Sequence, residues 1–281
     1  MAIQLSQTFG WPILSFDSRQ FYREMTIGTA VPSPDELQLA PHHFIHSHSI
    51  HHPLSAGAFA REAEVLMHAH PSNVFILTGG SGLYLQALLF GFHSLPDIPA
   101  ALRSSLQHDF QEFGLSWLQE QVQMADPVYF QQVDIQNPQR LLRALEVIRS
   151  SGKPYSTFVQ KQSEPRFPFL SLGIHWPREL LYNRINERVD QMMRQGLLEE
   201  VKALHPYQHL PALQTVGYTE LWSHLHGQTT LEEAVALIKR NTRRYAKRQL
   251  TWFRHQLPQT HWLPHDNTAS FIDLIKRTWL F

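Results

Sequence analysis

Two short apolar runs, residues 11–16 and 74–77, each end at a cluster of small and polar residues, with a helical pattern over residues 55–68 between them. Runs of this length bounded by turn signals read as buried strands, and a helix linking two strands argues for a parallel sheet. The linking helix is entered through Ser55, and the second run passes through Thr78-Gly79-Gly80-Ser81-Gly82 into another helix over 83–89. A further strand signal at 169–174 precedes a helical stretch over 178–204. Residues 1–9 read as a helix with no capping residue before it and Gly10 closing it. Pro32, Pro34 and Pro41 bracket a loop with a short helical start at Ser33-Pro34-Asp35-Glu36.

Residues 96–165 differ: they are helical segments rich in Gln with no convincing strand. The expected organisation is an α/β core made of residues 1–95 and 166–281, with 96–165 as a helical insertion domain. Leu95-Pro96-Asp97-Ile98-Pro99 and Ser163-Glu164-Pro165-Arg166 serve as the joins.

The chain has no cysteine, which excludes disulfides, thiolate zinc sites and cysteine nucleophiles and leaves His, Asp and Glu as metal ligands. No apolar run is long enough to span a bilayer, and the first ten residues lack the pattern of a signal peptide, so a cytoplasmic location is expected. With 24 basic and 24 acidic residues the net charge is zero, and any nucleic-acid partner must be held by a local patch.

Residues 239–254 form such a patch, with seven basic side chains and no acidic one. On a helix, Arg240, Arg244 and Arg248 align at i, i+4, i+8 beside Arg243 and Lys247, while Ile238, Tyr245, Trp252 and Phe253 point toward packing. A solvated basic helix is usually laced with acids at i±4. This one is not, so phosphate or diphosphate binding is expected here, with Arg244, Lys247 and Arg248 as the ligands.

The first strand ends in Leu14-Ser15-Phe16-Asp17-Ser18-Arg19-Gln20, followed by Met25-Thr26-Ile27-Gly28-Thr29-Ala30. Open α/β sheets bind ligands at such strand ends, where Asp17 is either a general base or simply the cap of a following helix. The Gly79-Gly80-Ser81-Gly82 turn lacks the Lys-Ser/Thr pair of a Walker A loop; it either lets a ligand approach backbone amides or only meets the needs of a tight turn.

Asn137-Pro138-Gln139-Arg140-Leu141-Leu142-Arg143 opens a helix whose buried side is Leu141, Leu142, Leu145 and Val147. Either Arg143 pairs with Glu146 on a solvated face, or Gln139, Arg140 and Arg143 grip RNA. His42, His43, His46, His48, His51 and His52 have the spacing of metal ligands but no carboxylate among them. A solvated or pH-sensitive loop is the default reading and zinc the alternative. Arg184 and Arg188, one helical turn apart, either face a diphosphate or pair with Glu187 and Asp190.

Taken in order, Asp17-Ser18-Arg19-Gln20, Met25-Thr26-Ile27-Gly28-Thr29-Ala30, Pro41-His42-His43, Gly79-Gly80-Ser81-Gly82-Leu83-Tyr84, Gln139-Arg140-Leu141-Leu142-Arg143, Val216-Gly217-Tyr218 and Tyr245-Ala246-Lys247-Arg248-Gln249-Leu250-Thr251-Trp252 resemble the tRNA dimethylallyltransferase family over nearly the whole chain. The resemblance implies a fold related to P-loop kinases. It also implies transfer of a dimethylallyl group from its diphosphate to N6 of the adenosine 3′ of the anticodon. Asp17 becomes the base that accepts the N6 proton. Ser18, Arg19 and Gln20 hold the tRNA beside it, as do Ser81, Gln139, Arg140, Leu141, Leu142, Arg143 and, less directly, Arg103. The implied cofactor is Mg2+, the partners are a tRNA anticodon stem-loop and dimethylallyl diphosphate, and the implied state is a monomer off the membrane.

Members of this family open with a strand and a Gly-x-Thr-x-Ser-Gly-Lys-Thr loop that binds the diphosphate and magnesium. Here Ala2-Ile3-Gln4-Leu5 matches the helix after that loop. The expectation is a sheet lacking its first strand and P-loop, with apolar surface and unpaired backbone left open, and an impaired transferase. Two other readings are a tRNA-binding protein without transferase activity and a P-loop small-molecule phosphotransferase. The second gives Gln139 and Arg143 no role.

Overall fold

The computed structural model describes residues 1–91, 96–159 and 164–279; Leu95 and Ser163 of the two joins lie outside them. In chain order the elements are α1 (Ala2–Phe9), β1 (Ile13–Ser15), α2 (Pro34–Leu39), β2 (His42–His43), α3 (Ala56–Ala69), β3 (Ile76–Thr78), α4 (Gly82–Phe90), α5 (Ala100–Ala125), α6 (Pro127–Phe130), α7 (Pro138–Ser151), β4 (Leu172–His175), α8 (Arg178–Arg194), α9 (Leu197–Leu204), α10 (Tyr218–Leu225), α11 (Leu231–Gln256), β5 (His261–Pro264) and α12 (Thr268–Trp279). The chain divides into two compact units, Met1–Leu89 with Phe167–Phe281, and Phe90–Arg166. Among the described residues no helix is long and apolar enough to cross a membrane.

Local chemistry sets many of the boundaries. α1 stops because Gly10 turns left-handed at φ 71°, donating its N–H to Ser6 O. α2 starts at a reciprocal cap in which Ser33 Oγ accepts the Glu36 N–H and the Glu36 carboxylate accepts the Ser33 N–H. Ser55 caps α3 through the Ala58 N–H. The helical pattern over 178–204 is not one helix: Gly196, at φ 99°, breaks it into α8 and α9.

The larger unit holds two parallel sheets, of order β2-β1-β3 and β4-β5. β1 is central in the first, pairing Ile13 with His42 and Ile76, and it is buried throughout. β2 corrects the reading of the proline-bounded segment as a loop. At two residues it is too short to show alternation, and it is docked by β1 and by the Ile13 N–H donating to Pro41 O.

The sequence calls for one sheet, and the parallel ladder is in two pieces. β3 ends the first sheet and β4 ends the second, and both border one cavity of about 930 Å³. Consecutive residues 73–80 and 167–178 line it. Since successive side chains of a strand point to opposite faces, lining by consecutive residues means that the open side of each strand is its edge. α1, α4, α8, α11 and α12 contribute to the remaining walls, including Leu5, Leu88, Leu181, Leu250 and Phe271. Among the described residues, neither edge has a strand partner. Under α8–α11 a separate apolar cluster includes Met25, Val189, Leu197, Val201, Leu213, Leu221, Trp222 and Ile238.

The smaller unit is helical. Leu106, Leu118, Val122, Leu141, Leu142 and Leu145 form its core between α5 and α7. α5 is interrupted at Gly114, whose φ of 77° and ψ of −169° are not helical. Asp126 is buried and locks the far end. Oδ1 accepts the Tyr129 N–H at 3.0 Å and the Ser156 hydroxyl at 3.0 Å, and Oδ2 accepts the Ser156 N–H at 2.6 Å. Asp126→Ala removes a helix cap and strands the Ser156 N–H, so it should lower stability by about 3 kcal/mol. Urea denaturation checks this; a loss under about 0.5 kcal/mol, the range of an ordinary surface substitution, contradicts it.

Candidate active site

The carboxyl end of β1 turns at Phe16-Asp17 and meets the glycine-rich turn after β3. A Cβ on Gly79, at φ 154°, would stand 2.8 Å from the Asp17 nitrogen and 2.9 Å from the Phe16 carbonyl carbon, so only glycine permits this approach. Side chains at Gly80 and Gly82 would collide with the Gln249 amide and the Trp252 ring of α11. The three glycines therefore let α11 and the Asp17 turn close on β3, with Gln249 Nε2 donating to Gly80 O at 3.0 Å.

Hydroxyls stitch the two turns together. Ser81 Oγ accepts the Ser18 N–H at 2.9 Å and donates to Ser18 Oγ at 3.0 Å. Ser15 Oγ accepts the Asp17 N–H and donates to Gln20 Oε1. Gln20 Nε2 donates to the carbonyls of Thr29 and Ala30, tying the turn to the next loop. Arg19 reaches away instead, donating to the carbonyls of Pro211 and Ala212 at 3.2 and 2.8 Å.

Asp17 does not cap a helix. Its Oδ1 accepts the Arg19 N–H at 3.0 Å within a non-helical turn. Burial pushes its carboxyl above the usual range, opposed by the N–H groups of Arg19 and Gln20 and by the charges of Arg19 and Arg188. Burial likewise pushes the Arg188 guanidinium down, opposed by the facing charge of Asp17, with Arg184 adding to the depression. Arg188 remains accessible to water, so this is a crowded, open site rather than a sealed one. A carboxylate of raised basicity opposite a cation can take a proton while an anion is stabilised nearby.

Glu200, which the sequence reading did not single out, positions the neighbouring loop. Its carboxylate accepts the N–H groups of Thr26, Ile27 and Gly28 at 2.9, 2.7 and 2.9 Å, and the Tyr218 hydroxyl at 2.7 Å. Burial and Glu200 both push the Tyr218 phenol upward, keeping it a donor. Tyr218 also explains Gly28, where a Cβ would stand 2.6 Å from its ring. Glu200→Ala leaves three N–H groups without their acceptor, so their amide exchange should quicken about 100-fold. Hydrogen exchange at Thr26, Ile27 and Gly28 checks this, and unchanged protection contradicts it.

On α11, Arg244, Lys247 and Arg248 are exposed, and Lys247 borders the cavity between the sheets. Tyr245 is a correction: it is exposed rather than packed, with the Arg248 guanidinium 5.7 Å above its ring. Lys239 finds its acid on another helix, Asp190 at 2.6 Å, and Arg243 donates to Asn186.

In the helical unit, Arg143 and Arg103 both reach Glu146, at 2.9 and 3.3 Å. Gln139 and Arg140 are exposed at the start of α7. Leu141 and Leu142 are core residues, so their side chains support α7 and do not face a ligand. The histidines disperse to separate partners: His42 to Ala40 O, His46 to Thr26, His48 to Glu62, and His51 against the Tyr207 ring. Among the described residues no group of three or more His, Asp or Glu side chains is placed to hold a metal ion.

The chain is similar to known proteins over nearly its whole length. A tRNA dimethylallyltransferase of Christiangramia forsetii is 44% identical, with 98% of this chain and 92% of the relative covered. The crystal structure of a tRNA delta(2)-isopentenylpyrophosphate transferase from Staphylococcus epidermidis superposes with a TM-score of 0.69 at 31% identity, covering 98% of this chain and 92% of that one. A eukaryotic dimethylallyltransferase acting on tRNA shares the fold at a TM-score of 0.81 and 24% identity, covering 98% and 73%. The model of the IPP transferase family matches residues 20–256, from Gln20 in the Asp17 turn through α11, and the chain belongs to that family.

Proposed function

We propose that the chain transfers a dimethylallyl group from dimethylallyl diphosphate to N6 of the adenosine 3′ of the anticodon in tRNA. The observation that carries this reading is the Asp17 carboxylate held in the turn after β1, where Ser18 meets the Ser81 hydroxyl of the glycine-rich turn, in a chain of the IPP transferase family. An adenine amino group is a weak nucleophile, so orientation and proton removal both help. N6 attacks C1 of the dimethylallyl group, the C1–O bond breaks with its electrons leaving on the diphosphate, and the N6 proton passes to Asp17. An anticodon loop makes extraction of the base less costly than a duplex would.

In this reading Ser18, Gln20 and Ser81 form the wall against which the adenosine is oriented, and Arg19 holds that wall through Pro211 and Ala212. Gln139, Arg140 and Arg143, with Arg103 beside them, grip the anticodon stem-loop, and Leu141 and Leu142 keep α7 rigid beneath. Arg188, Arg244, Lys247 and Arg248 supply cations for the leaving diphosphate. Mg2+ is the metal of this scheme. The donors here suit an ion that arrives with the diphosphate and water, because Asp17 is the carboxylate at the turn and no protein cage exists among the described residues. When bound, the ion neutralises charge on the leaving group. The site of action is the cytoplasm, and the working unit is a monomer.

In this reading the cavity bordered by β3 and β4 receives the strand and phosphate loop that the resemblance implies. The test is mass spectrometry of a tRNA anticodon stem-loop after incubation with dimethylallyl diphosphate, together with binding. Arg140→Ala and Arg143→Ala should each weaken stem-loop affinity at low salt, by roughly tenfold for a lost phosphate or base contact. Unchanged affinity in both variants removes the helical unit from recognition.

A further inference from the structure

Away from the Asp17 turn, two imidazoles meet through their Nε2 atoms. His205 opens the 3-10 turn His205–Tyr207 that follows α9, and His226 lies just beyond α10. The nitrogens are 3.2 Å apart, with the rings inclined at 72°. Such an approach needs either a proton on one ring directed at the other or a cation between them. Two nitrogens at about 2.0–2.1 Å from one zinc ion in a tetrahedral shell are roughly 3.3 Å apart. The observed separation matches that spacing.

The backbone on each side is anchored. Leu204 precedes His205, and Leu221 and Trp222 precede His226; all three lie in the same apolar cluster. His226 is exposed and His205 half-buried, so an ion reaches the pair from solvent. We infer that His205 and His226 form a two-imidazole site for a borderline divalent cation, of which Zn2+ is the probe. Water completes the shell, since no third His, Asp or Glu among the described residues joins them. Imidazole donors favour Zn2+, Ni2+ and Cu2+ over Mg2+ and Ca2+. The ion clasps the ends of α9 and α10, the two helices that carry Glu200 and Tyr218.

With 18 histidines in the chain, weak Zn2+ binding elsewhere is expected, so the readout must be specific to these residues. In 15N-histidine spectra of the unaltered full chain, the first equivalent of Zn2+ should shift the Nε2 signals of His205 and His226 before those of other histidines. In calorimetry, His205→Gln and His226→Gln should each weaken the tightest equivalent about tenfold or more, and the double variant should lose little beyond either single one. Far-UV circular dichroism checks that the variants fold. If the two Nε2 signals stay unmoved at one equivalent, or the tightest binding survives in both variants, the pair is a hydrogen bond and the site does not exist.

Discussion

Adding an apolar strand and a Gly-x-Thr-x-Ser-Gly-Lys-Thr loop upstream of Met1 should raise the rate of dimethylallyl transfer by at least about 100-fold, the effect commonly seen for a single leaving-group or oxyanion donor. The reason lies in the free edges of β3 and β4. Both border the same cavity, and Met1 and Ala2, at the start of α1, line its wall. A strand laid between those edges meets an unpaired neighbour on each side among the described residues, and the resemblance puts the phosphate loop between that strand and α1. α1 begins at Ala2, on the wall of that cavity. The diphosphate then leaves into oriented donors rather than toward exposed arginines alone. Equal rates with and without the addition would show that the cavity has no part in the chemistry.

In that extended protein, Asp17→Asn should lower kcat by about 1,000-fold while leaving stem-loop affinity nearly unchanged. Asn keeps an oxygen for the Arg19 N–H but cannot accept the N6 proton. The pH dependence follows from the direction of the Asp17 shift. Its carboxyl is raised above 3.8, chiefly by burial, so the base is lost as pH falls through that raised value, and the acidic limb of kcat/KM sits above the ordinary carboxylate position. Stability moves the other way. A carboxyl with a raised folded pKa disfavours the folded state once pH rises past the unfolded value, so Asp17→Asn should hold or gain stability at neutral pH. Activity lost together with stability would reduce Asp17 to a structural residue.

What the sequence revealed was local. The caps at Ser33, Ser55 and Gly10 and a strand within residues 11–16 depend on neighbours within a few residues, and each is visible as a pattern, the strand itself being the shorter Ile13–Ser15. What it concealed depends on distant partners. Arg19 looks like any exposed arginine of a polar turn, yet its acceptors are 192 and 193 residues away. Glu200 sits in an ordinary amphipathic helix, and only the fold brings it to the amides of residues 26–28. β2, two residues long, is too short to carry a pattern of its own, and β5 holds only Trp262 and Leu263 between His261 and Pro264, with no longer apolar run around it to mark a strand. The glycines of the turn after β3 were legible as a tight turn, but the side chains they make room for, Gln249 and Trp252, lie on α11.

The most direct test is the mass and fragmentation pattern of a tRNA anticodon stem-loop incubated with dimethylallyl diphosphate, Mg2+ and the strand-extended chain, alongside its Asp17→Asn variant. One added C5H8 unit is expected, located at N6 of the adenosine 3′ of the anticodon, formed by the first protein and almost absent with the second. A modification at another atom, or equal yields from both proteins, would contradict it.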